Sequence, residues 1–277
     1  MAAIEVSVAE QTVGTNETGR TIEFIRRNPT VVISASILIT MFLLAIFAPF
    51  LATDPLELAP WQRLKPPGEF GWFGTDHLGR DVYARTIYGA RISLSVGLFV
   101  ALVSTAVGLF IGLLAGYVRI VDTVVMRIMD GLMAIPGILF AIALMALVGS
   151  SVQNVIIAIS VPEIPRVVRL VRAIVLTIRE MPYVEAAVAS GTRLPQILVR
   201  HILPNTFAPL MVQATYICAS AVIVEAYLSF RGAGTPPEIP SWGNMMAEGR
   251  VYFQFKPWLL FFPGLCLACM VMTVNIL

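Results

Sequence analysis

The sequence predicts an all-α, polytopic membrane protein with six transmembrane helices. Of its 277 residues, 57% are hydrophobic and only 13% are charged, whereas soluble domains carry about 25% charged residues. Mean hydropathy is +0.82. Apolar runs of roughly 20 residues recur along the chain, the length at which a helix crosses a hydrocarbon core of about 30 Å.

The first span is expected at Val31 to Phe50, where Asn28 and Pro29 form a suitable helix start. The second runs from about Ile92 to Gly116. In it Gly108, Gly112 and Gly116 recur every four residues and share one helix face, which lets a neighbouring helix come close. The third runs from about Ile128 to Val148. The fourth starts near Val152 and loses its apolar character around Arg166, and Pro162 and Pro165 are expected to bend or interrupt it. The fifth covers about Thr206 to Leu228, the sixth Pro257 to Leu277. An even number of spans puts both termini on one side. Arg166, Arg169, Arg172, Arg179, Arg193 and Arg200 all fall between spans four and five, which marks that side as the cytoplasm. Residues 1–30 are then a cytoplasmic segment, 31–50 an anchor, 51–91 an outer segment and 92–277 the core domain.

Several function classes are excluded. A net charge of +2 is too small for nucleic-acid binding. Cys218, Cys266 and Cys269 lie in apolar runs and read as packing residues, and an odd count forbids full pairing. No GxxxxGK[ST] loop is present, so the chain is expected neither to bind ATP nor to act as an enzyme.

Between spans four and five, Tyr183 to Asn205 reads YVEAAVASGTRLPQILVRHILPN. Glu185, Ala186 and Ala187 suit a helix, and Gly191 allows a sharp turn. A second short helix from Leu194 to Ile202 puts Leu194, Ile197, Leu198 and His201 on one side, with Arg193 and Arg200 flanking. Pro204 is expected to end it and Asn205 to cap the next span. On the outer side, TDHLGRD brings Asp76, His77 and Asp81 together. Ion pairs and caps with Arg80 and Arg85 are preferred there over a metal site, with Thr75 or Asp76 capping a helix from near Leu78. Glu225 is an acid in a span and is expected to face a cavity or pair with Arg231. Arg127 and Asp130 are spaced to pair on one face. Trp242 and Trp258 are expected at the outer interface.

The EAAVASG stretch at 185–191, followed by Leu203-Pro204, resembles the EAA motif of permease subunits in binding-protein-dependent ABC importers. His201 stands where that family favours isoleucine. FGTDHLGRDVYARTIYGARISLSVG at 73–97, VDTVVMRIMDGLMAIP at 121–136, EAYLSFRGAG at 225–234 and PSWGNMMAEGR at 240–250 resemble the dipeptide, oligopeptide and nickel permease group, of which this chain looks like the C-type member. The resemblance implies the type I importer permease fold in a bacterial inner membrane. It implies a coupling segment at 183–205, with Glu185, Ala186, Ala187, Gly191, Arg193, Leu194, Leu198, His201, Leu203 and Pro204 facing an ATPase. It implies that Gly74, Thr75, Asp76, Gly79, Arg80, Asp81 and Arg85 lie near the outer mouth, in docking or gating, and that Glu225 and Trp242 are pore or gate candidates. The expected partners are a B-type permease, two ATPase subunits that hold ATP and Mg, an extracytoplasmic solute-binding protein and the lipid bilayer. The expected cargo is a di- or oligopeptide, with nickel as the alternative. An ion-driven secondary transporter is the rival of another class.

Overall fold

The computed structural model describes residues 27–276, so most of the expected N-terminal segment 1–30 lies outside the described residues. Among these, the architecture is helical, with only an isolated antiparallel bridge between Thr75 and Asp81. The helices include α1 (Pro29–Ile46), α2 (Val82–Tyr117), α3 (Arg119–Met133), α4 (Gly137–Val148), α5 (Val152–Ile178), α6 (Pro182–Ala189), α7 (Leu194–Ile197), α8 (Leu203–Phe230), α9 (Trp242–Gly249) and α10 (Trp258–Ile276).

The α2–α5 pair is the spine of the fold, and small residues make it possible. A Cβ added to Gly108, Gly112 or Gly116 would stand 2.5, 2.7 or 2.6 Å from the Cβ of Val167, Val171 or Val175 respectively. The expected glycine face is therefore filled by a valine row, and the matched spacing shows that the two helices run in the same direction. Helix α8 crosses α2 the other way, since Ser93 meets Glu225 while Gly97 meets Cys218 and Val222. Helices α1 and α10 close a second core in which Met41, Ala45, Leu94 and Met270 are buried together.

Three expectations on the spans are corrected. Helix α2 begins at Val82, not near Leu78 or Ile92, because Asp81 and not Thr75 or Asp76 caps it, accepting from Tyr83 N at 2.9 Å. The third span is two helices, α3 and α4, bent by 84° at residues 134–136. Pro136 has no N–H for the carbonyl one turn back, which favours the break. The fourth span is one continuous helix, with Pro162 and Pro165 inside it. Its valines 167, 168, 171 and 175 are fully buried, and this long contact offsets the two lost helix bonds. Among the described residues, four helices are long and apolar enough to cross a membrane, five if the bent pair counts as one; α5 carries too many charges to meet the same measure.

Those charges are matched. Arg172 pairs with Asp122 and Arg169 with Asp130, the latter at 2.5 Å, so both clamp α3 to α5. Asp130 thus pairs with Arg169, a partner on a neighbouring helix, and not with Arg127 as expected from spacing.

Candidate functional site

Two places gather the residues singled out by sequence. They lie toward opposite ends of α2. The first is the elbow between α5 and α8. Helix α6 opens with Pro182 at a position where its missing N–H costs nothing. It closes at Gly191, whose φ of +76° is a left-handed turn that glycine adopts freely. Gly191 N donates to Val188 O at 2.9 Å and Thr192 N to Ala187 O at 3.1 Å, which satisfies the helix end.

Helix α7 does not stop at Pro204 as expected. The chain passes through residues 198–202 in a widened turn, Leu203 N donating to Leu198 O five residues back, and enters α8 directly. The widened turn relieves the clash and lost bond that Pro204 would bring to a regular helix. Asn205 is accordingly inside α8, its side chain donating to His201 O at 2.8 Å, and caps nothing.

The elbow has two unlike faces. Val184, Ile197, Leu198 and Ile202 are buried in the main core, the same cluster that holds Val167, Val171 and Val175 of α5, and Leu194 packs against it. The other face is open. Met181, Tyr183, Val188 and Val199 are exposed apolar side chains there, and Glu185, Ala186, Gly191, Arg193, Arg200 and Pro204 are exposed beside them. Ala187, His201 and Leu203 are half-buried, His201 lying 6.3 Å from the Tyr183 ring.

The second place is a buried latch at the start of α2. Asp76 accepts Leu78 N at 2.8 Å and Arg80 N at 2.9 Å on one oxygen, and Arg80 Nε and Arg85 Nη1, both at 2.6 Å, on the other. Glu248 of α9 accepts Arg80 Nη2 at 2.8 Å and Arg85 Nη1 at 2.6 Å. Two arginines and two carboxylates are thereby joined across three stretches of chain. Burial by itself pushes the Asp76 carboxyl up, but Arg85 and Arg80 outweigh it and hold it below its usual value. Burial pushes Asp81 up, against the Tyr83 and Ala84 N–H groups. Asp76, His77 and Glu248 stand close enough to share an ion, yet the guanidinium groups already supply the positive charge a cation would bring.

The preferred ion-pair reading of this segment is what the geometry shows, and it changes the docking expectation. Gly74, Thr75, Asp76, Gly79, Arg80 and Arg85 are buried and Asp81 is half-buried, so they offer little surface to a partner. Thr75 Oγ1 donates to Gln62 O and accepts Lys65 N at 3.0 Å, which folds 62–65 onto this loop. Glu248 was missed by spacing arguments. It lies within the PSWGNMMAEGR stretch, but its partner Arg85 is 163 residues earlier.

Glu225 and Trp242 form a third, fully buried joint next to the latch. Glu225 accepts from Ser229 at 2.8 Å and Ser93 at 3.2 Å; Arg231 instead lies over the Tyr227 ring at 5.5 Å. Trp242 is not at the interface as expected. Its Nε1 donates to Thr86 O at 3.0 Å, and its ring sits where a Cβ on Gly89 would be 3.0 Å away. The pair thus ties α2, α8 and α9 together. Trp258 is half-buried.

Comparison with known proteins bears on the family and the fold. The family described as "Binding-protein-dependent transport system inner membrane component" matches residues 108–277, and "N-terminal TM domain of oligopeptide transport permease C" matches residues 20–67. The chain is 55% identical over 261 residues to the "Probable peptide ABC transporter permease protein y4tQ" of Sinorhizobium fredii, covering 94% of this chain and 90% of that one. It is 40% identical over 255 residues to the "Dipeptide transport system permease protein DppC" of Alkalihalophilus pseudofirmus, covering 91% and 84%. An inward-facing structure of the MetNI methionine ABC transporter shares the fold at a TM-score of 0.56 and 19% identity, covering 69% of this chain and 91% of that chain. The apolar spans, the helical core and these relatives together make the chain a member of the binding-protein-dependent transport system inner membrane components, a multi-pass and non-catalytic permease subunit of the ABC importer type.

Proposed function

We propose that this chain is one permease half of an ATP-driven importer of di- or oligopeptides, and that the elbow at 182–204 receives the stroke of the ATPase. The observation that carries the reading is the two-faced elbow. Its inner face shares one core with α5 and α8, while its outer face leaves apolar side chains and Arg193 and Arg200 in the open. A force applied to the open face passes into both flanking helices because packed cores transmit displacement rather than absorb it.

A second permease completes the pore. Two ATPase subunits hold ATP and Mg and close on nucleotide, drawing the elbow and turning the bundle outward. A solute-binding protein delivers the cargo at the latch end. The elbow end, which carries Arg179, Arg193 and Arg200, is the cytoplasmic one. Peptide cargo is supported by the relatives named for peptide and dipeptide transport.

The test is site-directed crosslinking in the complete transporter, with cysteines at Val188 and Arg200, alongside ATP-dependent uptake of a labelled dipeptide. Capture of an ATP-hydrolysing subunit is expected. Failure to capture one, or reaction only from the opposite side of the membrane, overturns the coupling role. Uptake of nickel in place of dipeptide overturns the cargo.

A further inference from the structure

Helix α5 carries a charge pair that neither the elbow nor the latch uses. Glu163 is 8% exposed near the middle of the helix, and both its oxygens accept from Arg166 Nη1, at 2.8 and 3.0 Å. A carboxylate this buried needs a polar cavity or a partner. Here it has both. A cavity of about 280 Å³ opens between α4, α5 and α8, lined by Gly137, Pro162, Glu163, Arg166, Tyr216 and Ser220 among others. That is close to the lower end of small-molecule sites, about 300 Å³.

Two irregularities of the backbone meet at the same place. The bend between α3 and α4 leads into Gly137, where an added Cβ would lie 3.2 Å from Pro162 of α5. Pro162 in turn leaves a carbonyl one turn back without its helix donor. Irregular backbone at membrane depth is tolerated where it is buried in protein or lines a cavity. Arg166 also differs from its neighbours on α5. Arg169 and Arg172 reach across to Asp130 and Asp122 and hold α3 in place, whereas among the described residues Arg166 bonds Glu163 alone, three residues away on its own helix. Opening that local pair releases no second helix. The Arg166 side chain is also half exposed, at the cavity wall.

We propose that this cavity is a station for the transported solute, and that Glu163 and Arg166 part to take its ammonium and its carboxylate. The pair then favours solutes that carry both charges, such as a short peptide with free ends. Tyr216 and Ser220 add hydroxyl groups for the peptide bond between those ends. This inference rests on the transport reading above and adds to it the residues that meet the cargo.

The test uses the complete transporter in vesicles, with alanyl-alanine as the probe. Glu163→Gln and Arg166→Gln are each expected to lower its uptake about tenfold or more, since each removes a charged hydrogen-bond partner. Co-purification of the ATPase subunits reports that the complex still assembles. The exchanged double variant, Glu163→Arg with Arg166→Glu, remakes a local ion pair but reverses the two ends, and uptake is expected to stay low. In an otherwise unaltered chain, Ser220→Cys is expected to react more slowly with a soluble maleimide when alanyl-alanine is present, and not when alanyl-alanine amide is. Unchanged uptake in both single variants, or full recovery in the exchanged one, makes the pair structural and overturns the proposal. Labelling indifferent to the dipeptide also overturns it, and assigns the cavity to a lipid headgroup or to solvent. If the unaltered transporter takes up no peptide, the transport reading itself fails, and this inference falls with it.

Discussion

The two ends of α2 are built on opposite rules. At the Val82 end, Asp76, Arg80, Arg85 and Glu248 turn their charges inward and satisfy one another. At the other end, no ion pair reaches Glu185, Arg193 or Arg200 among the described residues, and their side chains stay in the open. The glycines repeat the contrast. Gly79 has a φ of +83°, and a Cβ there would lie 1.9 Å from Ala59 O, so both conformation and space demand glycine. Gly191 has a φ of +76° but nothing within 4 Å, so only conformation demands it. A region that must stay put fills its space and pairs its charges. The elbow keeps one face unfilled, as the proposed contact with a partner requires.

The sharpest way to break this comparison is Gly191→Asp. It strains a left-handed turn and adds a charge to the open face. Uptake is expected to fall to background while the subunit remains in the membrane, and the ATPase subunits are expected to be lost on mild purification. Normal uptake would show that the elbow is not a contact. Next in size is Arg85→Met in the latch, which leaves two carboxylates short of a buried partner. Removing one member of such a cluster costs about 3–5 kcal/mol. A lowered thermal midpoint of the solubilised protein is expected, and an unchanged one would demote the latch.

At the Val82 end, two carboxylates respond to acid in opposite senses. Asp76 is held below its usual value of 3.8, so its ionised form favours the fold. That contribution is complete above pH 3.8 and is lost as pH falls from there through the lower folded value. Thermal stability as a function of pH should therefore carry an acid-dependent component that Asp76→Asn abolishes; a variant with the same acid profile would contradict it. The smallest effect is at Asp81, where the sign reverses. Burial raises its folded value, so the ionised form costs stability at neutral pH, a cost relieved as pH falls through that raised value. Asn caps a helix about as well as Asp, so Asp81→Asn should change stability by no more than about 0.5 kcal/mol. A loss above about 1 kcal/mol, read by the same melt, would mean that the cap needs the carboxylate.

Much of this was legible along the chain. The apolar runs locate α1, α8 and α10 to within a few residues, and the glycines at 108, 112 and 116 announce a close neighbour without naming it. The turn at Gly191 and the buried side of 194–198 follow from local spacing. Less legible was anything that depended on a second element. Prolines 162 and 165 suggest a break, yet α5 stays whole because α2 supports it. The single Pro136 gives a bend of 84° because no such support spans residues 134–136. Arg127 and Asp130 are spaced to pair, but the Arg169 side chain comes closer from another helix.

The sequence by itself determined that the chain is a helical membrane protein, where α1, α8 and α10 begin and end, and which family of transport subunits it joins. These follow from apolarity, helix period and short motifs, all of which act between near neighbours. Only the tertiary structure decided that Arg85 meets Glu248, that Glu225 sits in a cage of hydroxyls and that Glu163 borders a cavity. Those outcomes depend on how one helix is rotated and shifted against the next, and the side chains that set this lie far apart in the chain. The energy of a buried charge is settled by whichever group the folded bundle brings to it.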